Sequence, residues 1–299
     1  MRPDFLIIGA ARSGTTALTH FFRQHPELFV CEPKEPHFMA FAGRQLSFCG
    51  PGDDSLMNQL AVTDPEAYPK LFASAGERQV AGEGSVSTLY YHELAIPNIR
   101  CHAPDAKLIA ILRDPAERAF SSFMYMTSLG MEPCTDFRSA LDDEERRIRD
   151  NWHHIWHYVR MGRYAEQLGA FQRAFSPEQI RFYLLDDLQQ NPKPVLQDLF
   201  RFLEVDDGFE PETKREINRS GKPRNQLLQR SMQLLRRSAL IKRLVKTVVP
   251  AATREKIRAA NLEHPEIPRD IRAELIGRFR DDIAAVEDVT KRRLPQWYT

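Results

Sequence analysis

Phe5-Leu6-Ile7-Ile8-Gly9-Ala10-Ala11-Arg12-Ser13-Gly14-Thr15-Thr16 is the stretch that decides the fold. Four consecutive apolar residues suit a strand buried on both faces. They run into a turn holding two glycines, and a helical pattern then lasts from Thr15 to about Arg23. A strand feeding a helix through such a turn aims several backbone N–H groups and a helix N-terminus at one point, which makes an anion site. The spacing Gly9-x4-Gly14 fits a nucleotide phosphate loop, but Thr15 stands where a nucleoside-triphosphate loop carries lysine. A plain strand–helix turn with no ligand stays open at this point.

The pattern recurs along the chain. Lys107–Leu112 (KLIAIL) leads into Arg113-Asp114-Pro115 and a helix to about Leu129. Ile180–Leu185 (IRFYLL) leads through Asp186-Asp187 to a helix over about Pro192–Leu203. A weaker strand, Gln79–Ala81, ends at Gly82-Glu83, and a short apolar piece, Leu28–Val30, follows the first helix. Repeated strand–turn–helix units predict an α/β fold, a P-loop-like doubly wound parallel sheet flanked by helices. Ligands in such sheets bind beyond the carboxyl ends of the strands, so the turns after them are where chemistry is expected. Residues 41–68 read as a long loop, and residues 134–160 are charged and then aromatic (Trp152, His153, His154, Trp156, His157, Tyr158). The tail from about residue 224 reads as helical, broken at Pro250 and around Pro265–Pro268. The whole of residues 1–299 is expected to form one domain with a helical C-terminal part.

Composition bounds the rest. Hydrophobic residues make up 42% and charged residues 28% of 299, which suits a globular protein with an ample core. The net charge of +1 offers no general case for a nucleic-acid partner. Cys31, Cys49, Cys101 and Cys134 lie far apart with no C-x-x-C pair, so buried free thiols are expected rather than a zinc framework. The N-terminal apolar run is too short for a signal peptide or a membrane span, which predicts a cytoplasmic protein. Charge is uneven, however: Lys214–Arg258 holds 14 Lys/Arg against two Glu. Leu227, Leu234, Ile241 and Val248 recur every seven residues there, with Arg236, Arg237, Lys242 and Arg243 between them. That segment suits either scaffold packing or peripheral contact with an anionic membrane.

Two further stretches carry candidate chemistry. Cys31-Glu32-Pro33-Lys34-Glu35-Pro36-His37-Phe38 would present Glu35 and His37 on one side if extended, a pair able to take a proton from a hydroxyl. Arg113-Asp114-Pro115-Ala116-Glu117-Arg118-Ala119-Phe120-Ser121 follows the strongest strand, with Pro115 at a helix start and Ser121 two turns on.

Taken in order, these loops resemble those of sulfotransferases that use 3′-phosphoadenosine-5′-phosphosulfate (PAPS) as donor, in particular the carbohydrate and heparan-sulfate branch. The resemblance runs with gaps over almost the whole chain. It implies that Arg12, Ser13, Gly14, Thr15 and Thr16 hold the 5′-phosphosulfate, with Arg12 beside the leaving oxygen, and that Arg113 and Ser121 hold the 3′-phosphate. It implies Glu35 as catalytic base with His37 assisting, and no metal. Tyr164 matches a tyrosine common in relatives, for which donor contact and simple packing are both open. Asn218–Arg224 resembles a late donor-covering loop, pointing to Arg224 and then Lys222. The sequence departs from the glycan branch at Met39, Ala40 and Gly84, where a second Phe, an acid and a lysine are usual, which argues against a heparan-type acceptor. The implied activity is sulfuryl transfer to a hydroxyl of a small-molecule, glycan or lipid-linked acceptor, with residues 41–68 and 134–160 on the acceptor side. A P-loop-type kinase and a non-catalytic nucleotide-binding protein are the alternatives.

Overall fold

The computed structural model describes residues 2–213 and 265–299, with the backbone alone of 222–223 and 262–263. Five parallel strands form one sheet: β1 Phe5–Gly9, β2 Leu28–Val30, β3 Val80–Gly84, β4 Lys107–Leu112 and β5 Ile180–Leu184. Their order is β2-β3-β1-β4-β5, so β1 is central, between β3 and β4. This is the expected α/β sheet.

Alternation along the strands sorts side chains onto two faces. Phe5 and Ile7 of β1 join Ile109 and Ile111 of β4 against α1 (Thr15–Phe22) and a later helix, Pro192–Leu203. Leu6 and Ile8 join Ala81, Leu108, Ala110 and Leu112 in a second, larger cluster on the opposite face. Both faces are covered, which is why these strands read as unbroken apolar runs. Close pairing also dictates small residues: a Cβ at Gly82 would stand 2.5 Å from the Phe5 ring.

The other helices, in chain order, are α2 (Phe38–Phe41), α3 (Ser87–Tyr90), α4 (His92–His102), α5 (Pro115–Leu129), α6 (Phe137–Asp142), α7 (Glu144–Arg149), α8 (Tyr164–Ala174), α9 (Leu185–Gln190) and α10 (Pro192–Leu203). A C-terminal helix, Arg269–Thr290, buries Leu275, Phe279, Ile283 and Val286 in the larger cluster. α5 forms as its sequence dictates: Asp114 caps it by accepting the Ala116 N–H at 2.8 Å, Pro115 opens it, and Gly130 ends it at φ 70°.

Some elements differ from expectation. β3 runs to Gly84 rather than ending at Ala81, because Gly82, Glu83 and Gly84 pair with Phe5, Leu6 and Ile7. β5 stops at Leu184, and Leu185 already starts α9. Residues 134–160 hold two short helices, α6 and α7. Arg224, the Lys222 side chain and the basic segment over residues 227–248 lie outside the described residues.

Candidate active site

Both candidate loops leave the carboxyl ends of adjacent central strands, β1 and β4. After β1 the chain turns through Arg12 at φ 65° and Gly14 at φ 88°, the left-handed region. A Cβ on Gly14 would meet the Leu185 side chain at 2.7 Å, so glycine is needed there for space as well as conformation. α1 then begins with no side-chain cap and no acid in its first turn. Its first intrahelical bond runs from the Leu18 N–H to the Gly14 carbonyl at 3.1 Å, leaving the amides of Thr15, Thr16 and Ala17 without a helical acceptor. An uncapped N-terminus beside an arginine fits an anion.

The second loop works differently. Asp114 occupies the N-terminus of α5, so any anion there must be held by side chains. Arg113 and Ser121 are placed for it. Arg12 Nε donates to Ser121 Oγ at 3.3 Å, and Arg113 donates to the Arg12 carbonyl at 3.3 Å, joining the two loops. The Arg12 guanidinium lies over the Tyr125 ring, 4.5 Å from its centroid. Burial, with Arg113 and Arg118 nearby, pulls Arg12 down to about 10, so it stays a cation at neutral pH. Ser13 and Thr15 are buried, while Thr16 is half-buried. Tyr164 is fully buried, and its hydroxyl donates to the Arg113 carbonyl at 3.1 Å. Its place is therefore behind the loop, where it sets the position of Arg113.

Glu35 and His37 do converge, though not through an extended strand. Both adopt left-handed φ (62° and 58°) around Pro36, which brings His37 Nε2 within 3.8 Å of Glu35 Oε2. Lys34 Nζ grips the other carboxylate oxygen, Oε1. Burial alone would raise the Glu35 pKa, but Lys34, His37 and Arg12 together hold it below the ordinary carboxylate value. The Glu35 side chain keeps 29% exposure, so the carboxylate is ionised and still reachable. His37 is different. Burial pushes its pKa to about 4, and the imidazole is neutral at physiological pH.

Several residues that hold this pair carried no assignable role in the sequence. Ser85 Oγ accepts the His37 backbone N–H at 2.9 Å and donates to Glu83 at 2.6 Å, while Ser87 Oγ meets His37 Nδ1 at 2.8 Å. Burial, reinforced by the charge of Glu35, raises the Glu83 carboxyl to about 7 against the Ser85 bond. The alternation of Ser85 and Ser87 beyond a strand end was the available signal.

The loops over 41–68 and 134–160 are clasped by one buried acid. Asp53 accepts from the backbone N–H of Gly50 (2.9 Å) and His153 (2.8 Å), and from His153 Nδ1 (2.6 Å) and Trp156 Nε1 (2.7 Å). That clasp presents His154 to His37, with ring centroids 6.0 Å apart. A lone aspartate in a Gly/Pro-bearing loop gave no signal of this. Among the described residues, His92, Glu93 and Glu166 form the one group of three possible metal ligands; Glu93 and Glu166 are exposed.

Two loops at the ends of adjacent parallel strands, one offering amides and one offering side chains to anions, define an α/β fold of the phosphate-handling kind. The sulfotransferase domain profile matches residues 2–221, and the chain belongs to that family. A crystal structure of a sulfotransferase from Alicyclobacillus acidocaldarius, 29% identical, superposes with a TM-score of 0.78 and 100% coverage of both chains. Carbohydrate sulfotransferase 15 of Rattus norvegicus is 28% identical over 251 residues, 68% of this chain and 44% of its own. Heparan sulfate glucosamine 3-O-sulfotransferase 3A1 of Mus musculus is 29% identical over 203 residues, 67% of this chain and 45% of its own. The chain thus spans under half the length of these curated relatives.

Proposed function

We propose that this protein transfers a sulfuryl group from PAPS to an acceptor hydroxyl, and that residues 1–299 act as one sulfotransferase domain. The observation that carries the reading is the joining of Arg12, Arg113 and Ser121 beside the uncapped start of α1. With it we assign four roles. The α1 amides and Arg12 hold the 5′-phosphosulfate; Arg113 and Ser121 hold the 3′-phosphate; Glu35 takes the acceptor proton; and His37, neutral and tied to Ser85 and Ser87, fixes the position of Glu35.

In the transfer, the acceptor oxygen forms a bond to sulfur as the bond from sulfur to the 5′-phosphate oxygen breaks. The acceptor proton passes to Glu35 Oε2, since Oε1 is held by Lys34. Negative charge grows on the departing phosphate oxygen, where Arg12 and the α1 amides are already aimed, so little reorganisation is needed. Arg12, a cation at neutral pH, stabilises that charge without giving up its proton. The reachable carboxylate of Glu35, beside a His37 ring that is buried and tied to Ser87, favours Glu35 as base.

Ala40, where an acid is usual in glycan enzymes, is fully buried with Phe41 and Met57. This supports an acceptor other than a heparan-type glycan. We also propose a cytoplasmic location. Adenosine 3′,5′-bisphosphate should raise the melting temperature by mass action on the native state, and adenosine 5′-monophosphate should do so much less. Equal shifts from the two would mean that Arg113 and Ser121 read no 3′-phosphate. Sulfate transfer to a panel of hydroxyl acceptors then identifies the substrate.

A further inference from the structure

Arg12, the cation assigned to the departing phosphate oxygen, is held by parts of the chain about a hundred residues away. Its carbonyl accepts from Arg113 at 3.3 Å, and its Nε donates to Ser121 Oγ at 3.3 Å. One turn further along α5, the guanidinium lies over the Tyr125 ring, 4.5 Å from its centroid. Ser121 and Tyr125 stand at i and i+4, so one face of a single helix supplies both side-chain contacts. That helix is firmly seated. Asp114 caps it, and Phe120, Phe123, Met124 and Met126 are buried in the larger core cluster. After Pro115 it contains no glycine or proline up to Leu129, so its face is unbroken.

The chemistry of arginine explains why a ring would matter there. A guanidinium donates hydrogen bonds only in its own plane, and neither of its faces can donate. Its value to a phosphate oxygen therefore depends on where that plane points. Ser121 pins the Nε edge but leaves the group free to rock about that contact. An aromatic face beneath the cation opposes the rocking, because the negative face of the ring attracts the positive charge. The ring also keeps water from that side, which leaves the charge less screened. These effects need the ring and not the phenol hydroxyl.

We propose that Tyr125 is a positioning residue for the transfer step: its ring fixes the Arg12 guanidinium toward the 5′-phosphate oxygen, so the two residues act as a pair. The inference rests on the donor reading above and adds to it a residue of α5 for which the sequence alone gave no role.

Calorimetric titration of the full chain with adenosine 3′,5′-bisphosphate and adenosine 3′-monophosphate tests it, because the two ligands differ only in the 5′-phosphate that Arg12 would meet. The wild type should prefer the bisphosphate by roughly 10- to 150-fold, the order of a hydrogen bond to a charged group. Tyr125→Leu should cut that preference by roughly 2- to 30-fold, the span from an exposed to a desolvated cation–ring contact, and leave the monophosphate nearly unchanged. Tyr125→Phe, which keeps the ring, should retain the wild-type preference. In an Arg12→Ala background there is no guanidinium to hold, so Tyr125→Leu should cost nothing further. A role in folding alone would weaken both ligands together and would persist in Arg12→Ala. Either of those results, or a Tyr125→Leu variant with the wild-type preference, overturns the pairing and leaves the donor reading standing. A wild type that gains nothing from the 5′-phosphate removes the donor reading, and this inference with it.

Discussion

Replacing Asp53 by alanine should unfasten the acceptor side of the site without touching the donor loops. The carboxylate is fully buried and accepts four hydrogen bonds, two from backbone amides and two from aromatic rings. Alanine strands all four donors. At about 1–3 kcal/mol for each unmet buried donor, independent losses would exceed the cost of most single substitutions. They are not independent, since His153 supplies two of them and solvent can enter the space left. The loss on removing one partner of a buried pair, about 3–5 kcal/mol, is the better figure. Unfolding entropy near the midpoint is roughly 0.6 kcal/mol/K for 299 residues, so the melting temperature should fall by about 5–8 °C. Asp53→Asn should also destabilise, because its NH2 group would face N–H donors. Differential scanning calorimetry provides the temperature, and titration with adenosine 3′,5′-bisphosphate should show unchanged affinity. The pH dependence carries a sign of its own. His153 and Trp156 hold the Asp53 pKa below its ordinary value against the effect of burial. The gap between wild type and Asp53→Ala should therefore be full above about pH 4 and close as pH falls through the folded-state value. A variant melting within about 1 °C of wild type at neutral pH would refute the clasp.

Glu35→Gln keeps shape but cannot accept a proton, so turnover in the acceptor panel should fall by roughly 10²–10⁴-fold while bisphosphate affinity is retained. Wild-type turnover should stay flat from neutral pH down to about 4, because Glu35 is held below its ordinary range. An acid limb near pH 7 would instead implicate Glu83, whose carboxyl titrates at about 7. His37 is buried neutral with a pKa of about 4, so between that value and about 6.5 the unfolded chain binds the extra proton. Its contribution to stability should be complete above about pH 6.5 and be lost as pH falls toward 4; His37→Gln should flatten melting temperature across that window, and an unchanged slope would show that the imidazole is not buried neutral.

The relation of sequence to structure can be followed element by element. Phe5–Ile8 and the LIAIL of β4 needed no tertiary information to be read as strands, because a central strand covered on both faces is apolar throughout; IRFYLL, on the sheet edge with Arg181, Phe182 and Tyr183 part-exposed, was legible from its β-forming residues. The Asp114-Pro115 cap and start of α5, and the glycine at the turn into α1, are equally local, since each is a demand of a few backbone atoms. The two loops were legible for that reason, and the family with them. The charge states around Glu35 were not. They depend on how deeply Glu83 and His37 are buried and on the charge of Arg12 near Glu35, which are sums over neighbours far apart in the chain. Nor could the sequence show Glu35 and His37 meeting through two left-handed residues rather than along a strand. The clasp of Asp53 on His153 and Trp156 spans about a hundred residues, and the ion pair of Arg272 with Asp114 spans 158. No local periodicity encodes pairings of that range; only the packed sheet and the helices on it bring such residues together.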